Sequence, residues 1–136
     1  MRILPTITAA VAVAALAGCT GNPPSATMQS DTQLQQLLAG KTAGPAQSCI
    51  PQRQAGTSAS VATPSALAFQ ANPGLVYVSN VQDTGCADAA NPNYSLVTTS
   101  HGSDLCSGDR VEVRDLVTHG FHGACVLSDF VPYRTR

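Results

Sequence analysis

Cys49, Cys86, Cys106 and Cys125 constrain this chain more than any other feature of it. They fall in a segment of about 90 residues, too short to bury a large apolar core by itself. An even number of cysteines in an oxidising compartment reads as two disulfides. Each bridge, closing a loop of this size, would contribute about 3–4 kcal/mol by constraining the unfolded chain. Three pairings are open to four cysteines. The preferred one joins Cys86 to Cys106, the shorter closure, and leaves Cys49 with Cys125, tying the start of the domain to its last strand.

The oxidising compartment is inferred from the N-terminus. Arg2 provides a positive start, and residues 3–16 carry no charge and are mostly Ala, Val, Leu and Ile. That run is too short to cross a bilayer as a helix, which takes about 20 residues, so it reads as an export signal over residues 1–18 that is removed. It ends in Leu16-Ala17-Gly18-Cys19, which resembles the lipobox of bacterial lipoproteins. In that motif a branched residue and two small ones precede a cysteine whose thiol accepts a diacylglycerol. The resemblance implies that Cys19 is the lipidated first residue of the mature chain and that the membrane is a partner through it. Each buried methylene contributes about 0.8 kcal/mol, so two or three acyl chains make such an anchor nearly permanent. Thr20 stands where an Asp would favour retention in the inner membrane, so the resemblance implies the periplasmic face of the outer membrane.

Charge is sparse. The chain has a formal net charge of −1, and Arg2 leaves with the signal. The remaining basic residues, Lys41, Arg53, Arg110, Arg114, Arg134 and Arg136, are scattered, whereas nucleic-acid binding needs a basic stripe to neutralise phosphates. Nucleic acid is therefore not an expected partner. There is no Trp, which also disfavours a platform for stacking sugars or bases.

After the export signal the chain divides into three parts. Residues 19–30 hold the lipidated cysteine and a tether rich in Gly, Pro, Ser and Thr. Residues 31–40 read as a short helix, with Ser30 or Asp31 as N-cap, Leu34, Leu37 and Leu38 on one face and Gly40 at the end. So few apolar residues require the helix to dock on something. Residues 41–136 read as a small β domain. Strands are expected near 58–62, 66–70, 75–81, 94–99, 110–116 and 124–127, with turns at Asn72-Pro73-Gly74, Asn91-Pro92-Asn93 and Ser107-Gly108-Asp109. In Val111-Glu112-Val113-Arg114 apolar and charged residues alternate, which places one face inward. The fold class is thus mainly β, a small disulfide-stapled barrel or roll preceded by one short α-helix.

The chemical constellations are weaker. Ala39-Gly40-Lys41-Thr42 resembles a fragment of a phosphate-binding loop, but Gln35 stands where the pattern needs Gly, and the helix precedes the glycine. It reads as a helix C-cap followed by a lysine at the negative end of the helix dipole. His119, His122 and Cys125 recur at intervals of three and carry zinc-type ligand atoms. Gly120 and Gly123 interrupt any helix there, a strand would send the histidines to opposite faces, and oxidation would remove Cys125. The exposed-loop reading of the histidines is preferred, and no cofactor is expected. His101, Ser103 and Asp104 are neighbours in sequence, which is not triad geometry, and no Gly-x-Ser-x-Gly elbow occurs. Asp104, Asp109 and Asp115 read as turn carboxylates. Phe121, Phe130 and Tyr133 are expected to close the end of the core.

Gly44-Pro45 leading to Ser48-Cys49-Ile50, Cys86, Leu105-Cys106-Ser107-Gly108-Asp109, Ala124-Cys125-Val126-Leu127, Asp129-Phe130 and Pro132-Tyr133 together resemble an uncharacterised family of small lipoproteins and periplasmic proteins from proteobacteria. The resemblance covers roughly residues 40–133, with Thr57 to Val61 blander than the family. It implies a compact β domain with two structural disulfides and carries no catalytic residue. The expectation is a non-enzymatic, lipid-anchored binding or structural module of the cell envelope, with an envelope protein as partner. The alternatives are an inhibitor of a hydrolase that attacks the envelope and a periplasmic metal-binding protein using His119 and His122.

Overall fold

The computed structural model describes residues 26–55 and 59–136. The expected export signal, Cys19 and most of the expected tether lie outside the described residues. The first element is α1 (Ala26–Leu38), which begins five residues earlier than the sequence suggested. Ala26 to Gln29 are adequate helix formers with no Gly or Pro among them, so the helix continues upstream of Ser30. Ser30 is therefore a buried position within α1 and not its cap. The C-terminal end follows the expectation. Gly40 adopts the left-handed conformation, with φ of 71°, and Lys41 Nζ donates to the Leu37 carbonyl at 2.8 Å, satisfying a terminal acceptor of the helix.

The strands are β1 (Lys41–Ala43), β2 (Cys49–Pro51), β3 (Val61–Ala62), β4 (Ala66–Asn72), β5 (Leu75–Val81), β6 (Tyr94–Thr99), β7 (Asp104–Cys106), β8 (Arg110–Asp115) and β9 (Phe121–Thr135), with one helical turn, α2 (Gln52–Ala55), after β2. The main sheet runs in the order β3-β4-β5-β9-β8-β6, with β1 on the free side of β9, and every pairing is antiparallel. It curls into a half-barrel. A separate ribbon of β2 and β7 lies outside this sheet. The class expected from the sequence, mainly β and disulfide-stapled after one helix, is what the chain forms.

β4 and β5 show why the middle of the domain is so apolar. Leu67, Phe69, Leu75 and Tyr77 enter the core inside the curl, together with Ile50, Leu105, Val111, Val113, Leu127 and Phe130. The alternate residues Ala66, Ala68, Val76 and Val78 form a second cluster on the outer face, where Leu34, Leu37 and Leu38 of α1 pack with Val61 and Tyr133. This is the docking partner the helix required. Half-burying each leucine there contributes about 1 kcal/mol. β8 behaves as its alternation demands, with Val111 and Val113 fully buried.

β9 is far longer than the four residues expected. Its first half pairs with β8 and its second with β5. Between them, Ser79 faces Phe130 while Val81 faces Leu127, so β9 carries one extra residue. The Ser79 hydroxyl donates to the Ser128 carbonyl at 2.8 Å inside this bulge. The bulge reverses the phase of the strand, so that Cys125 and Leu127 are buried before it and Phe130 and Pro132 after it. Of the aromatics expected to close the core, Phe130 is fully buried, 5.9 Å from Phe69 in an edge-to-face contact, and Tyr133 packs against the outer cluster. Phe121 is exposed, because it lies at the start of the strand.

The cysteines pair as Cys49–Cys106 and Cys86–Cys125, which corrects the preferred pairing. β2 and β7 place Cys49 directly opposite Cys106, with Cα atoms 4.0 Å apart. The 3-10 turn Thr84–Cys86 lies against β9, with the Cα atoms of Cys86 and Cys125 5.4 Å apart. Loop length was a poor guide, since doubling a loop changes its closure cost by only about 0.6 kcal/mol. Strand register decides the matter.

Candidate functional site

The most organised exposed feature is the tip of the β8–β9 hairpin, residues 115–121. Asp115 builds it. Its Oδ1 accepts the backbone N–H groups of Val117 and Thr118, each at 2.8 Å. These bonds, that of Thr118 first, hold the carboxyl below its ordinary pKa of 3.8 by favouring the charged form. The His119 amide donates to the Asp115 carbonyl at 2.9 Å, and the Asp115 amide donates to Gly120 O at 3.0 Å. His119 takes a left-handed conformation, with φ of 57°, which reverses the chain. Arg114 braces the far side, donating through Nη1 to His119 O at 3.3 Å and through Nη2 to Glu112 Oε2 at 2.6 Å. The Leu116 amide is held by Asn93 O at 3.0 Å.

This braced turn presents apolar side chains to solvent. Leu116 is 50% exposed, Val117 88% and Phe121 58%. The Arg110 guanidinium lies 5.7 Å from the centre of the Phe121 ring and covers part of it as a cation–π contact. The sequence reading took Asp115 correctly as a turn carboxylate but did not single out Leu116-Val117. An apolar pair between a turn Asp and Thr-His-Gly was the available signal.

The zinc-type trio does not assemble. His119 belongs to the tip, and Cys125 is in a disulfide. His122 Nε2 lies 2.9 Å from Asp88 Oδ2, and its ring stacks on Tyr94 at a centroid distance of 4.2 Å. Among the described residues no group of three or more His, Cys, Asp or Glu side chains could hold a metal ion. His101, Ser103 and Asp104 do not form a relay. His101 Nδ1 lies 3.8 Å from Asp109 Oδ1, and the Ser103 hydroxyl is 3.4 Å from Asp104 Oδ1. Asp109 is a turn residue, accepting the Cys106 amide at 2.8 Å, with Gly108 left-handed at φ of 92°.

A concavity of about 380 Å³ lies at the seam of the half-barrel, between the edge strands β3 and β6 and beside α1. Ala59, Ala62, Ala89, Tyr94 and Leu96 give it a small-residue, partly apolar floor. Among the described residues no titratable pair faces into it. Comparisons of the chain with family models, with curated proteins and with solved structures find no match.

Proposed function

We propose that this chain is a lipid-anchored, non-enzymatic module of the bacterial cell envelope that acts by binding another envelope protein through the β8–β9 tip. The anchor rests on Leu16-Ala17-Gly18-Cys19. The binding role rests on one observation, the apolar side chains of Leu116 and Val117 held out into solvent by the Asp115 and Arg114 hydrogen bonds. An ordered apolar tip loses little conformational entropy on docking, which favours affinity.

The test is site-specific photocrosslinking in intact cells, with the photoreactive side chain at position 117 and at position 70 as control. A discrete protein adduct at 117, absent at 70 and lost in a Leu116→Asp background, is the expected result. Adducts of equal yield at both positions, or none at 117, would refute the role of the tip. The same braced tip also suits the second reading, a hydrolase inhibitor, which inserts such a loop into an active-site cleft. Loss of lysozyme or envelope-protease activity on adding excess domain, reversed by Leu116→Asp, would favour that reading over an accessory module.

A further inference from the structure

The two disulfides occupy opposite environments. Cys86 is fully buried and Cys125 is 1% exposed, and both belong to the core inside the curl. Cys49 is exposed and Cys106 half-buried. Their bond lies in the β2–β7 ribbon, outside the main sheet, and Cys106 lines an open cleft of about 360 Å³ with His101, Ser103, Asp104 and Asp109. Attack on a disulfide requires a thiolate to reach one sulfur in line with the bond, so access governs which bond exchanges.

We propose that Cys49–Cys106 is an exchange-competent disulfide, opened in the folded protein by an exposed dithiol, while Cys86–Cys125 stays closed as the structural bridge. The dithiol is either a small reductant or the paired cysteines of a redox protein, and both supply the same nucleophile. Its thiolate attacks one of the two sulfurs, the Cys49–Cys106 bond breaks, and the electron pair leaves on the other sulfur as a thiolate that takes a proton from water. The second thiol of the reagent then closes on the mixed disulfide and releases the remaining cysteine. The reagent ends as its disulfide, oxidised by two electrons, and the protein bond ends as two thiols.

The ribbon has other holds besides the bond. Ile50 and Leu105 are buried in the core, and backbone bonds run from Ser107 N to Ser48 O at 2.7 Å and from Gln47 N to Phe130 O at 2.9 Å. Reduction therefore loosens residues 44–51 and 103–108 without unfolding the main sheet. The bond is a redox-sensitive latch on one end of the half-barrel.

The oxidised full chain would be treated with graded dithiothreitol in native buffer, quenched with one alkylating reagent, then denatured, fully reduced and labelled with a second. Peptide masses should show Cys49 and Cys106 carrying the first label at least about tenfold faster than Cys86 and Cys125. Amide exchange should rise over 44–51 and 103–108 while β4 and β5 keep their protection. A Cys49→Ala, Cys106→Ala chain should still unfold cooperatively, with its remaining bond resistant to reductant. Reduction of both bonds at one rate, reduction of Cys86–Cys125 first, no reduction without denaturant, or loss of cooperative unfolding in the double variant would each overturn the proposal. Reagents of one and two cysteines from a redox protein, used in parallel with dithiothreitol, would show which source the bond serves.

Discussion

Phe130→Ala removes one of the largest fully buried side chains of the core inside the curl. Phe130 is fully buried, sits just past the β9 bulge opposite Ser79, and meets Phe69 edge to face at 5.9 Å. Truncating a buried Phe to Ala costs about 3–5 kcal/mol through lost transfer energy and the cavity left behind. About 1 kcal/mol of that belongs to the aromatic pair. A value near 4 kcal/mol is a large share of the 5–15 kcal/mol that typically holds a domain folded. At this chain length it would lower the melting temperature by roughly 15 °C. Urea unfolding followed by circular dichroism would measure it, with the slope against denaturant unchanged. A Phe69→Leu, Phe130→Leu double-mutant cycle should return a coupling of about 1 kcal/mol. A loss below about 1 kcal/mol for Phe130→Ala would refute the placement of the bulge, because without the phase reversal Phe130 would point to the opposite face of the sheet.

Gly85 gives a backbone test. A Cβ there would overlap the Ala124 carbonyl oxygen of β9, so Gly85→Ala should cost more than about 2 kcal/mol as backbone overpacking, whereas Gly102→Ala, with open space around it, should change stability by less than about 0.5 kcal/mol in the same melt. Asp115 gives a pH test. Its folded pKa is depressed below 3.8, so its contribution is complete above the unfolded value and is lost as pH falls through the folded one; the stability advantage of wild type over Asp115→Asn should be constant from pH 5 to 7 and shrink below pH 4, and an advantage unchanged to pH 2 would contradict this. Removing the buried bridge with Cys86→Ala and Cys125→Ala should destabilise by about 4 kcal/mol, from the 39-residue separation of the pair in the chain-entropy relation, before any cavity cost, as read by urea unfolding.

What could be read from the sequence was what repeats locally. The alternation in Val111-Glu112-Val113-Arg114 fixed the inward face of β8, and the Leu75–Val81 and Tyr94–Thr99 strands have the bounds the sequence suggested. The helix stop at Gly40 was likewise legible, because one left-handed residue and one lysine carry it. What failed depends on partners distant in sequence. β1, β2 and β7 are three-residue strands, too short for alternation to register, and exist because β9 and each other supply the hydrogen bonds. The second half of β9 was hidden because the bulge at Ser128-Asp129 flips the apolar phase, and a proline such as Pro132 is uncommon inside a paired strand. The disulfide pairing followed from register and from the close approach of Gly85 to Gly123, which no loop-length argument contains. The tip was missed because an exposed Leu-Val pair resembles ordinary surface until Asp115 and Arg114 are seen to hold it.

The account stands or falls on the anchor, since an envelope binding role presumes it. The full chain would be expressed in a diderm bacterium, the membrane and soluble fractions separated, and the intact mass measured beside a Cys19→Ala chain. The account predicts a membrane-bound product that begins at Cys19 and carries a diacylglycerol thioether, with the variant released from the membrane or left unprocessed. A wild-type product in the soluble fraction, without acyl mass on Cys19, would contradict it.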